Sequence, residues 1–238
     1  MVSVNAARTR ATTHSAEDIM VTSTTPQAVH DLGAPAARRR TRRLLTAAAL
    51  AGPFFYVSSA AQALTREGFD IRIHPLSQLA TGGLGWLQQV SFVLAGLGAI
   101  AFAVAHRCIV STGAGSRIAR ILLSVFGAGF LIAGCFPMDA QNGFPIGAPA
   151  GVVEMSWHSI VHTAAAAVSF IALAGACIAL LVRSIRRRRV WASIGNGLVA
   201  VVLLLPMSPT ESSIQIAVTG LIAFSWVTVS ALRLRSGV

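Results

Sequence analysis

The chain contains no lysine, few acids and only three cysteines among its 238 residues, and just 11% of those residues are charged. A soluble domain is about a quarter charged, so this scarcity excludes an ordinary water-facing surface. Cys108, Cys135 and Cys177 fall in or beside different apolar stretches. Their spacing fits neither a disulfide framework nor a close-spaced metal motif, and they read as packing residues. All 19 basic residues are arginine against 8 acids, for a formal charge of +11. Such a charge would suit nucleic acid. These arginines, however, stand in short clusters beside apolar stretches and do not line a polar surface, so they read as topology signals and exclude nucleic acid as a partner. An all-arginine, alanine-rich composition also fits a GC-rich bacterial genome.

What is present is apolar: 54% of the residues, with a mean hydropathy of +0.69, which makes the lipid bilayer the first partner. Six stretches approach the length that crosses a hydrocarbon core of about 30 Å. They are Leu44 to Leu64, Leu84 to Ala105, Ile118 to Phe136, Trp157 to Val182, Val190 to Leu205 and Ile214 to Leu232, the fifth being the shortest. They are apolar nearly all round, which a soluble helix is not. The expected fold is therefore all-α, an integral membrane bundle of six transmembrane helices. Residues 1–43 are expected to be a disordered Arg-rich cytoplasmic tail and 44–238 the transmembrane domain. The first stretch follows a twin-arginine-like Thr41-Arg42-Arg43-Leu44-Leu45 and contains Ala61-Gln62-Ala63, which looks like a cleavage site. Its length and its Phe54, Phe55 and Tyr56 argue that it is kept as the first span.

Arginine counts near the span ends orient the bundle, because cytoplasmic loops carry the excess of positive charge. One side holds fifteen arginines: Arg38, Arg39, Arg40, Arg42 and Arg43 before the first span, Arg107, Arg117 and Arg120 after the second, Arg183 and Arg186 through Arg189 after the fourth, and Arg233 and Arg235 at the end. The other side holds Arg66 and Arg72. Both termini are thus expected in the cytoplasm of a bacterial cell, with the protein in the plasma membrane. Glu67, Asp70, Asp139, Glu154 and Glu211 then all fall outside. Unusual polar chemistry is to be sought on that outer side.

The first outer loop brings His74-Pro75, which favours an extended entry, and then Ser77 and the glycines before Trp86. Gln88 stands near the outer end of the second helix, heading a stripe with Ala95, Ala99 and Ala103 that is expected against the fourth helix. In the second outer loop Asp139 lies just beyond the third helix. Trp157 opens the fourth, where His158 and His162 are one turn apart, with β-carbons about 5–6 Å from each other. Ala165, Ser169, Ala172 and Ala176 continue the histidine face, and Ile160, Ala167, Ile171 and Ile178 form the opposite one. Small residues let helices approach closely in lipid, so the histidine stripe is expected to face other helices. Gly127, Gly129 and Gly134 imply close packing of the third helix as well.

The segments HPLSQLATGGLGWLQ (74–88), FPMDAQNGFPIGAP (136–149) and SWHSIVH (156–162), in this order among spans, closely resemble the DUF-998 family of uncharacterised prokaryotic multi-pass membrane proteins. The likeness runs over roughly residues 44 to 235, and implies a multi-span fold without an established activity. The family pattern has Pro after the Asp of the second motif, where this chain has Ala140. A more distant similarity of residue types links Ser77, His74, Asp139, His158 and His162 to the zinc sites of alkaline ceramidases and adiponectin-type receptors, with different spacing and span number.

Three functions follow as expectations. The first is a non-enzymatic membrane protein with an outward-facing polar pocket for a lipid headgroup, a small ligand or a partner, formed by His74, Ser77, Gln88, Asp139, Trp157, His158 and His162. The second is a zinc-dependent lipid hydrolase, with His74, His158 and His162 as ligands and Asp139 positioning or deprotonating a metal-bound water. The third is a small transporter, which a faint repeat supports: Trp86 and Pro137-Met138 bracket one hairpin, Trp157 and Pro206-Met207 the next. In the first two readings His74, Asp139, His158 and His162 converge at the outer ends of the second to fourth helices.

Overall fold

The computed structural model describes residues 26–110, 113–206 and 213–238, with side chains from residue 35 onward. Most of the expected tail, Met207 and Glu211 lie outside these residues. Residues 37–238 form one packed unit, to which the following refers. Among the described residues six α-helices follow one another: α1 Pro26–Thr65, α2 Gly85–Ile109, α3 Ala114–Cys135, α4 Trp157–Arg186, α5 Val190–Leu203 and α6 Ser213–Ser236. Among the described residues there is no strand. Five helices are long and apolar enough to span a membrane, α1 from Pro35 onward, α2, α3, α4 and α6. At 14 residues α5 reaches only about 21 Å, against a core of roughly 30 Å.

The arginine run, expected at the end of a disordered tail, is helical. Alanine and arginine are both strong helix formers, and Thr41 Oγ1 back-bonds to the Ala37 carbonyl at 3.0 Å, so α1 continues through Arg38 to Arg43 into the apolar stretch. The rest of α1 is built into the bundle. Tyr56 donates to the Ala217 carbonyl at 2.9 Å and Thr228 of α6 to that of Ala49 at 3.0 Å. Phe55 stacks on Phe224 of α6 at 5.7 Å and meets Phe92 and Phe130 edge-on, so one aromatic cluster ties α1, α2, α3 and α6.

Glycine sets the tightest crossings. A β-carbon on Gly127 would lie 2.7 Å from the Gly96 carbonyl oxygen, and one on Gly96 2.6 Å from that of Gly127, so α2 and α3 touch backbone to backbone. Gly129 is pressed in the same way against Ala165 and Ser169 of α4. The small-residue face of α4 does point inward, with Ser169, Ala172 and Ala176 buried while Ile160, Ala167, Ile171 and Ile178 are exposed. Gln88, Ala95, Ala99 and Ala103 are buried too, but the hydrogen bonds of Gln88 run to α1 and not to α4.

Candidate functional site

The loop between α1 and α2 and the loop between α3 and α4, both expected on the outer side, close over one another. After α1, His74 ends a turn in which its amide donates to the Asp70 carbonyl at 2.8 Å, Pro75 is extended and leads into a 3-10 turn over Leu76–Ala80, and Gly82 (φ +72°) then turns the chain into α2. Arg66 donates to the Leu79 carbonyl and, at 2.6 Å, to that of Thr81, which fixes the end of this turn. Its guanidinium lies 4.6 Å from the Phe144 ring centroid of the second loop, a cation–π contact, and burial pulls its pKa below the usual value.

His74 is buried and bonded at both ring nitrogens. Nδ1 accepts from the Asp70 amide at 2.9 Å, so the ring proton sits on Nε2, which donates to the Asn142 carbonyl at 2.9 Å. One imidazole thus joins the two loops in a single tautomer. Gln78, fully buried, does the same with its amide, donating to the carbonyls of Gln141 at 2.6 Å and Phe144 at 3.1 Å. Ser77 donates to Met138 Sδ at 2.9 Å. The second loop can present these carbonyls because Asn142 (φ +54°) and Gly143 (φ +77°) turn left-handed. Phe144 is buried against Phe69 and His74. At the exposed edge Arg72 holds the Asp70 carboxyl down to about 2, a solvated pair that adds little to stability.

Asp139 works at the start of α4. Its Oδ2 accepts from the Ser156 amide at 2.7 Å and its Oδ1 from the Ser156 hydroxyl at 2.6 Å. Ser156 is the N-cap of α4, its Oγ accepting from the Ser159 amide. A carboxylate here also faces the positive end of the helix dipole. Trp157 and His158 follow, both exposed, their rings 3.8 Å apart, with His158 Nδ1 3.4 Å from the Ser156 hydroxyl. His162, one turn on, is buried: Nδ1 donates to the carbonyls of Ala133 and Phe136, both at 2.9 Å. It satisfies carbonyls that the end of α3 leaves open. Gln88 lies deeper, where its Oε1 accepts from Gln62 at 2.8 Å and its amide donates to Ser59 at 2.9 Å.

The seven expected site residues therefore occupy four settings: His74 and Ser77 between the loops, Asp139, Trp157 and His158 at the start of α4, His162 under the end of α3, and Gln88 between α1 and α2. Among the described residues, no three His, Cys, Asp or Glu side chains are grouped to hold a metal ion. The chemistry agrees, since both nitrogens of His74 and Nδ1 of His162 are already engaged with backbone. Although His158 and His162 share a helix face, the end of α3 covers only His162.

Sequence reasoning missed the other end of the bundle. A cavity of about 920 Å³ there includes His106, Asn196 and Trp226 in its lining. The signal was His106 and Asn196 themselves, polar side chains inside apolar helices.

No curated protein and no solved structure matches the chain. The model of one family, described as protein of unknown function (DUF998), matches residues 49–233, a range that takes in all three motifs, and the chain belongs to that family.

Proposed function

We propose that this is a non-enzymatic protein of the bacterial plasma membrane, with both termini in the cytoplasm, whose interlocked outer loops present Asp139, Trp157 and His158 to a lipid headgroup or a small polar ligand at the outer interface. The observation that carries this reading is the joint at the start of α4. Of the seven residues, His74, Gln88 and His162 are buried and Ser77 is turned onto Met138, whereas Trp157 is 60% exposed and His158 is exposed beside a half-buried Asp139. An indole at a helix start with a polar ring tilted against it is the amphipathic arrangement found at membrane interfaces. In this reading the buried residues act through position, holding the loops so that the α4 joint is rigid.

Orientation is the part to test first, on a background lacking the three native cysteines. A cysteine replacing Ala150, exposed in the second loop, is expected to react with a membrane-impermeant thiol reagent in intact cells. One replacing Arg186, exposed at the end of α4, is expected to react only after the cells are opened. The fifteen-to-two arginine split motivates this. The reverse pattern would put the α4 joint in the cytoplasm and end the reading.

A further inference from the structure

The cavity at the Arg-rich end opens between the last turns of α2, α4 and α6 and the first turns of α5. On the α5 side its wall is low, because that helix faces the cavity with Ala192 and Gly195, where a β-carbon added to Gly195 would meet no atom within 4 Å. The walls are of two kinds. Phe102, Leu180 and Val199 give an apolar lining, and Arg187, Arg189 and Arg233, all exposed, stand with Arg183 around the same space. Among the described residues no Asp or Glu lines it.

Two polar features lie among these walls. Trp226 Nε1 donates to Asn196 Oδ1 at 3.0 Å, and the Asn196 amide reaches Ser184 Oγ at 3.5 Å. His106 is only 4% exposed, and its buried Nδ1 has no hydrogen-bond partner among the described residues. An unsatisfied buried polar atom is costly. The negative ends of α2, α4 and α6 favour arginine by themselves, which explains why arginines stand there. It does not explain their convergence on a large cavity with an apolar lining and a bare imidazole nitrogen.

We infer that this cavity binds an anionic amphiphile. Its phosphate-bearing head lies among Arg187, Arg189 and Arg233, its hydrocarbon chain against Phe102, Leu180 and Val199, and a polar atom near the head meets His106. Guanidinium groups match phosphate oxygens in paired hydrogen bonds, and arginine clusters at the cytoplasmic membrane surface attract anionic lipid. The volume lies in the range of small-molecule sites, about 300–1,000 Å³, which combine apolar walls with a few placed polar groups. The inference stands apart from the outer α4 joint and does not need it.

The test uses the purified full chain, stripped of lipid in a zwitterionic detergent, with bound lipid counted by native mass spectrometry. Phosphatidylglycerol is expected to bind about tenfold more tightly than phosphatidylcholine of the same chains, and inorganic phosphate alone to displace it poorly. Gly195→Leu fills the cavity without changing charge, and Arg187→Gln with Arg189→Gln and Arg233→Gln removes charge without filling it. Each variant is expected to lose tenfold or more of the phosphatidylglycerol affinity. Should Gly195→Leu fail to fold, the triple glutamine variant decides, because its three positions are exposed. Equal binding of the two lipids by the wild type, or wild-type affinity in the triple variant, would overturn the inference. Displacement by phosphate at the lipid's own concentration would overturn its amphiphile half and leave a free-anion site.

Discussion

Gln78→Leu is expected to cost the folded protein about 2–3 kcal/mol, read as a lowered midpoint of denaturant unfolding in detergent micelles. The amide of Gln78 is the donor to the Gln141 and Phe144 carbonyls in a fully buried position. Gln141 O keeps a second donor, the Phe144 amide at 3.1 Å. Phe144 O is then left bare, at about 1–3 kcal/mol for a buried unsatisfied group, with a smaller loss at Gln141. Gln78→Glu is expected to be worse, since a carboxylate would face two carbonyl oxygens with no proton to give. Burial raises the pKa of that carboxyl in the folded state. The variant's stability is therefore greatest below the unfolded glutamate pKa and is lost as pH rises through the raised folded value. The Leu variant should show no added pH slope. A Gln78→Glu variant as stable at neutral pH as at low pH would mean that the amide does not bridge the loops.

The second large effect lies in the membrane core. Gly127→Ala is expected to cost about 1–3 kcal/mol and Gly127→Leu more, because an added β-carbon meets backbone and not only a movable side chain. The atoms met are the Gly96 carbonyl oxygen and the Ile100 Cγ1, both at 2.7 Å, and the Ile100 amide nitrogen at 3.0 Å, all on α2, and the two backbone atoms cannot give way. Only separation of α2 and α3 relieves the clash. The same exchange at Gly195 of α5 meets open space. There Ala should be neutral or stabilising by up to about 1 kcal/mol through helix propensity. Opposite signs for one substitution, measured by thermal unfolding of the two variants, distinguish a close crossing from a general intolerance of change. Equal losses would argue against the backbone contact.

The helices were legible in the sequence because hydropathy alone marks them. The stretch read as Val190 to Leu205 is α5 Val190–Leu203, and Trp157 opens α4 as expected. Helix faces were legible as well, since in lipid the small residues of α4 turn inward and its isoleucines outward. The partners of the polar residues were not. Reading side-chain types invites side chain to side chain clusters, whereas His74, Gln78 and His162 all bind main-chain carbonyls. A main-chain carbonyl carries no sequence signature; whether it points at a histidine depends on turns such as Asn142-Gly143. The cavity was illegible for a related reason, since its α5 wall is low for want of a side chain at Gly195. His106 and Asn196 marked its place but not its shape.

The three motifs are, on this account, one mechanical unit that clasps the loops over residues 66–84 and 136–156. Hydrogen exchange of the full chain in lipid nanodiscs, comparing wild type with Gln78→Leu, tests that most directly. The expected result is that amides of both loops exchange faster together and by a similar factor, while those of α6 keep their protection. Faster exchange confined to the Leu76–Ala80 turn, with the second loop protected as in the wild type, would contradict it.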